Sequence, residues 1–285
     1  MYSQEITRRH RAAIVIAIDQ SCSMGGYMEL NGWRLSKAEA VAMVTGSLID
    51  ELIMRSCRDG GYRYYYDIAL IGYSGDEIYP LFGREIKFYP ITMFAEQEVE
   101  KIAYALDYKS FNSGVVPIHR AVSQWVKPKA VGATPMCKMI NTVTTLVAEW
   151  CAKEENCDSF PPLVFNITDG EASDANYDML RSAAYRLRNT GTTDGKTLFM
   201  NIHISAESNH ERIVFPSSQE VPIEIRHAHL LMDMSSVLPE QLHSYIRDNR
   251  RHFSQPPYIA MSYNASMSEL VTALNIGTRS LVVGL

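Results

Sequence analysis

Residues 12 to 26 read AAIVIAIDQSCSMGG. The first seven are apolar and rich in β-branched side chains. A run this short, with no polar alternation, predicts a strand buried on both faces, as in a parallel sheet. It stops at Asp19, and a small-residue loop carrying Ser21, Ser23, Gly25 and Gly26 follows.

Outward from this stretch, strands and helices alternate. Ser36 and Glu39 form an S-x-x-E capping box. Leu35, Ala38, Val41, Ala42, Leu48, Ile49, Leu52 and Ile53 then recur at helical spacing, predicting an amphipathic helix to about Cys57. YYYDIALIGYS (64–74) predicts a second strand, and EIYPLF (77–82) a hairpin partner for it. A third helix starts after Pro135, and LVFNIT (163–168) is another buried strand, ending at Asp169. Residues 174–189 read as helix and TLFMNIHIS (197–205) as strand. Between these, helical spacing recurs around Glu96 to Leu106 and Val116 to Trp125. Further on, the pattern predicts a strand near His227 to Met232 and a helix from about Pro239 to Arg250. A strand at YIAMSY (258–263) and a helix from about Ser266 to Leu274 close the chain. The expectation is one three-layer α/β domain over 1–285. Its central sheet is mostly parallel with one antiparallel edge strand, helices cover both faces, and insertions fall at about 83–130 and 207–257.

Two aspartates thus follow two buried strands. In an open parallel sheet, ligands bind beyond the carboxyl ends of the strands, where strand order reverses. Two carboxylates brought to that edge repel each other unless a cation lies between them. Ser21 and Ser23 add neutral oxygen donors, and an all-oxygen set suits Mg²⁺ or Mn²⁺. For any one of these residues, a turn or capping role is the simpler reading.

IAIDQSCSMGG resembles the D-x-S-x-S motif of von Willebrand factor type A (vWA) domains. VGATPM (131–136) resembles that family's threonine motif, with Thr134 as the match. FNITDGE (165–171) resembles its third motif, with Asp169 as the match. The three occur in family order and in context: after a strand, before a helix, after a strand. The resemblance covers residues 12 to 205 apart from the first insertion. It implies a Rossmann-like vWA fold with a metal-ion-dependent adhesion site (MIDAS) made by Asp19, Ser21, Ser23, Thr134 and Asp169. It also implies a metal-dependent protein-binding module, a scaffold or adaptor, whose cation recruits the Asp or Glu of a partner protein. Stand-alone intracellular members of the family occur in bacterial stress and signalling systems. The competing reading is a Mg²⁺-dependent phosphohydrolase using Asp19 and Asp169. It would need a general acid two residues after Asp19, where this chain has Ser21.

Composition sets further bounds. With 27 Lys and Arg against 32 Asp and Glu, the formal charge is −5, which argues against nucleic acid as the main partner. Five cysteines with no C-x-x-C spacing point to reduced thiols and a cytoplasmic setting. No apolar run approaches the roughly 18 residues of a membrane helix, and none has secretory-leader form. GTTDGKT (191–197) has three residues between its glycines, one short of a phosphate-binding loop, and reads as a turn. His227 and His229, two apart on the expected strand, read as packing residues, as do Tyr62, Tyr64, Tyr65 and Tyr66.

Overall fold

A computed structural model describes residues 1–30, 33–110, 114–204, 213–221, 225–249 and 255–265. The opening apolar run forms strand β1 (Ala12–Asp19), buried at every residue. A hairpin, β2 (Tyr27–Leu30) and β3 (Trp33–Ser36), leads into helix α1 (Lys37–Ser56). The capping box starts that helix: Glu39 N–H donates to Ser36 Oγ at 3.2 Å, and Ser36 N–H donates to the Glu39 carboxylate at 2.8 Å. The small hairpin β4 (Cys57–Arg58) and β5 (Gly61–Tyr62) precedes β6 (Tyr66–Ser74). Next come β7 (Glu77–Pro80), β8 (Tyr89–Pro90), α2 (Ile91–Glu96) and the long hairpin β9 (Lys101–Ser110) and β10 (Gly114–Ser123). Then follow α3 (Met136–Cys151), β11 (Leu163–Thr168), α4 (Tyr177–Asn189), the hairpin β12 (Gly191–Thr192) and β13 (Gly195–Lys196), and β14 (Leu198–Ile204). The last elements are β15 (Ile213–Val214), α5 (Arg226–Met234), α6 (His243–Asn249) and β16 (Met261–Ala265).

One eight-stranded sheet runs β15-β16-β14-β11-β1-β6-β7, with β8 also on β6. β1 is parallel to both neighbours, β6 and β11. Alternate β1 side chains enter opposite layers. Ile14, Ile16 and Ile18 pack with Val41, Leu48 and Leu52 of α1. Ala13, Val15 and Ala17 pack with Met139 and Ile140 of α3 and Leu180 of α4. Each fully buried isoleucine contributes about 1.5–3 kcal/mol, so β1 anchors both layers. The three-layer α/β architecture follows. The chain passes from β1 through α1 to β6 on one side, and later through α3 to β11 on the other, so strand order reverses beside β1.

Three expectations change. The sheet carries antiparallel strands at both ends, not at one edge alone: β7 and β8 pair antiparallel with β6, and β15 with β16. The helical spacing around Glu96 to Leu106 and Val116 to Trp125 belongs largely to the β9–β10 hairpin, paired from Lys101↔Ser123 to Ser110↔Gly114. Ile102, Tyr104, Leu106 and Tyr108 also satisfy a period of two, and a partner strand decides between the two periods. The hairpin is tied to α1 at its base, where Asp50 accepts from Ser123 N–H at 3.2 Å and Trp125 Nε1–H at 3.0 Å. Gly46 makes the approach possible, since a Cβ there would meet the Ser123 carbonyl at 2.3 Å.

The third change is at His227 to Met232, which lies within helix α5 rather than a strand. Ala228, Leu231 and Met234 are buried at helical spacing. His227 and His229 therefore point to different sides of a helix. GTTDGKT forms the turn of the β12–β13 hairpin, as read. The expected helix from about Ser266 lies outside the described residues. Among the described residues, no helix is long and apolar enough to cross a membrane.

Candidate metal centre

Asp19 ends β1 at the strand-order reversal and is fully buried. Both carboxylate oxygens accept hydrogen bonds, from Ser21 N–H at 2.8 Å and from the Thr168 hydroxyl at 2.7 Å. Burial is the main influence on this carboxyl and pushes its pKa up to about 6. The bonds from Ser21 and Thr168 oppose the rise, and the charge of Asp169 adds to it.

Ser21 and Ser23 lie on the short 3-10 turn that follows, Cys22–Gly25, with Ser21 at its N-cap. Their hydroxyl oxygens are 3.1 Å apart. Ser23 Oγ–H donates to Asp169 Oδ1 at 2.6 Å. The other oxygen, Asp169 Oδ2, accepts from the Lys37 ammonium at 2.8 Å. The Asp169 side chain is fully buried and that of Lys37 nearly so. Asp19, Ser21, Ser23 and Asp169 thus form one connected oxygen cluster from two distant segments.

Thr134 reaches the same edge through its backbone. Val131 N–H donates to Gln20 O at 2.8 Å, and Cys22 N–H donates to Gly132 O at 2.9 Å. The Thr134 loop therefore runs along the Asp19 loop. Gly132 has φ +78°, and a Cβ there would stand 2.8 Å from the Gly75 amide nitrogen, so only glycine fits this passage. Thr134 N–H donates to Ser173 Oγ at 3.0 Å, and Ser173 N–H returns a bond to Thr134 O at 3.0 Å. Asp174 accepts from the first amides of α3, Cys137 N–H at 3.0 Å and Lys138 N–H at 2.8 Å. The segment after Asp169 therefore fixes the threonine loop. Cys22 is exposed, and its sulfur accepts from Gly132 N–H at 3.0 Å.

Sequence reasoning did not find Lys37, Thr168, Ser173 or Asp174. Thr168 could have been noticed as the polar end of an apolar strand, but nothing linear links the other three to Asp19. His203, near the end of β14, was also missed. It stacks on Tyr263 at 4.5 Å and approaches His227 at 5.4 Å. Burial, then the neighbouring His227 and Lys37, hold its pKa down to about 3, so it is neutral beside the cluster. His227 Nδ1 lies 3.9 Å from the Glu171 carboxylate.

The residues present fit a hard divalent cation. Two buried carboxylates share about one ammonium, and the remaining donors are neutral hydroxyl oxygens. Among the described residues, no three His, Cys, Asp or Glu side chains are grouped to hold a metal, so the hydroxyls would be needed. A strand-order reversal beside β1, with the three motif segments meeting at its carboxyl edge, decides the fold type. The fold is von Willebrand factor type A-like.

No protein-family profile and no curated protein matches the chain. Solved structures do. A von Willebrand factor type A protein from Catenulispora acidiphila is 14% identical with a TM-score of 0.40, over 69% of this chain and 34% of that one. Manganese-loaded TRAP protein from Plasmodium vivax is 15% identical with a TM-score of 0.45, over 98% and 76%. Proximal thread matrix protein 1 from the mussel byssus, with a zinc-occupied MIDAS motif, is 14% identical with a TM-score of 0.37, over 70% and 37%. This vWA-like chain spans about a third of the length of the first of these and little more of the third.

Proposed function

We propose that this chain is a metal-dependent protein-binding module, a scaffold or adaptor, built as one domain over 1–285. Asp19, Ser21, Ser23, Thr134 and Asp169 would hold the cation, Mg²⁺ or Mn²⁺. The supporting observation is the hydrogen-bonded run Ser21–Ser23–Asp169 beside the buried Asp19, which joins carboxylates and hydroxyls from two strand ends and is open to solvent at Ser23. When bound, the cation supplies concentrated positive charge to which an Asp or Glu of a partner protein can bind. The chain's own part is to hold few negative charges near it. Neutral serines stand where further carboxylates would cancel that charge, which leaves attraction for an outside anion.

Catalysis is the weaker reading. Asp19 is buried with both oxygens engaged, which suits a supporting carboxylate better than an attacking one. Ser21 stands where a phosphohydrolase would carry its general acid.

The insertions at 83–130 and 207–257 would select the partner. Lys127 O accepts from the Gln20 side chain at 3.0 Å, so the first insertion ends against the Asp19 loop. His227 of the second lies near Glu171.

Calorimetric titration of Mg²⁺ and Mn²⁺ into the wild type and Asp19→Ala tests the site. We expect the substitution to weaken binding by at least ~100-fold, as loss of a directly involved carboxylate should. Equal affinities would sink the metal reading. Mg²⁺-dependent phosphate-ester turnover lost in Asp19→Ala would favour the enzyme instead.

A further inference from the structure

Lys37 is the first residue of α1, yet its side chain belongs to the oxygen cluster. Its backbone N–H donates to Gly26 O at 2.8 Å. A Cβ at Gly26 would lie 3.4 Å from Lys37 Cε, so the aliphatic stem runs over that glycine. The ammonium then meets Asp169 Oδ2 at 2.8 Å, with 14% of the Lys37 side chain exposed and none of the Asp169 side chain. Backbone, stem and ammonium are all held, so the charge is directed at Asp169 by the fold.

The charge balance gives this a consequence. Asp19 and Asp169 together carry −2 when ionised, and Lys37 brings the cluster to −1. With a divalent cation the cluster becomes +1; without Lys37 it would be neutral. A lysine here opposes the metal and favours an anion at the loaded site, both through Coulomb terms that solvent screens only in part at this largely buried position.

We infer that Lys37 is a tethered competitor of the divalent cation, lowering metal affinity while leaving the loaded site with a net positive charge for a partner's carboxylate. This rests on the metal-site reading of the preceding subsection. It assigns Lys37 a positioning and tuning role, since its ammonium contacts the ligand set and not the partner. A purely structural lysine would act differently: its loss would destabilise the fold and leave metal affinity unchanged.

The test is a calorimetric Mn²⁺ titration of the wild type, Lys37→Met, Lys37→Gln, Lys37→Arg and Asp19→Ala at one ionic strength. Lys37→Met should bind Mn²⁺ at least ~10-fold more tightly, because a unit positive charge has left a buried site. Lys37→Gln, which keeps a hydrogen-bond donor without the charge, should do the same and covers a failure of the methionine variant to fold. Lys37→Arg should stay near the wild type. The Mn²⁺-induced rise in melting temperature should be larger in both neutral variants than in the wild type. Unchanged or weaker Mn²⁺ affinity in the neutral variants, with wild-type binding that Asp19→Ala removes, overturns the role of Lys37 alone. Absence of Mn²⁺ binding in every protein overturns this role and the metal site together.

Discussion

Two buried aspartates lie near opposite ends of the central strands and have opposite surroundings. Asp67, near the start of β6, pairs with Ala13 of β1, six positions and roughly 20 Å from Asp19. Asp67 accepts from Trp150 Nε1–H at 3.0 Å and from the Tyr64 hydroxyl, and the Arg11 guanidinium lies 3.4 Å away. Arg11 also stacks over the Tyr64 ring at 4.6 Å. Among the described residues, Asp19 receives its hydrogen bonds from the Ser21 backbone amide and the Thr168 hydroxyl. The charge that bears on it is that of another carboxylate, Asp169. The chain places a counter-charge directly beside Asp67, whereas the cation of the Asp19 cluster, Lys37, contacts Asp169 instead. The first arrangement stabilises a fold; the second suits a cation arriving from solvent.

Substitutions can break or sharpen this contrast. The largest effect is expected at Asp67. Asp67→Ala leaves the Trp150 indole N–H without its acceptor and leaves Arg11 only Asn156 and the more distant Glu155, and should cost about 3 kcal/mol of unfolding free energy. Urea denaturation should give the same loss with Mg²⁺ or with chelator. A loss that Mg²⁺ reverses would mean that Asp67 also serves a cation.

A middle effect is expected at Ser173, which holds the Thr134 backbone. Ser173→Ala removes one hydrogen bond and should cost about 1 kcal/mol in chelator. It should also weaken Mg²⁺ binding several-fold by loosening the threonine loop. Unchanged Mg²⁺ affinity would detach Thr134 from the site.

The smallest effect on the metal-free fold is expected at Asp19 itself. Asp19→Asn removes a charge that burial opposes, so stability in chelator should change by less than ~1 kcal/mol or rise slightly. A loss as large as that of Asp67→Ala would show that the two aspartates are alike, and the contrast would fail.

Much of the fold was legible because its signals are local. β1, β6, β11 and β14 are short apolar runs, α1 carries a helical stripe behind its Ser36 capping box, and α3 carries one behind Pro135. The errors fall where one pattern permits two periods. Residues 101–123 could be strand or helix until β9 met β10. His227 to Met232 is apolar enough for a strand, but its buried side packs as α5. In the site, Asp19, Ser21 and Ser23 were readable from one loop. The contribution of Thr134 through its backbone was not, because Gly132, Ser173 and Asp174 act across the chain.

The opening run therefore determined the type of sheet and the position of Asp19, since burial on both faces and a strand-ending aspartate are properties of consecutive residues. Sequence order also marked Thr134 and Asp169 as partners through their motifs. The tertiary structure alone decided the charge environment. Lys37 is 132 positions from Asp169, and Arg11 is 56 from Asp67, yet each supplies a cation at contact distance. Electrostatic energy depends on distance in space and on burial, and neither can be read from separation along the chain.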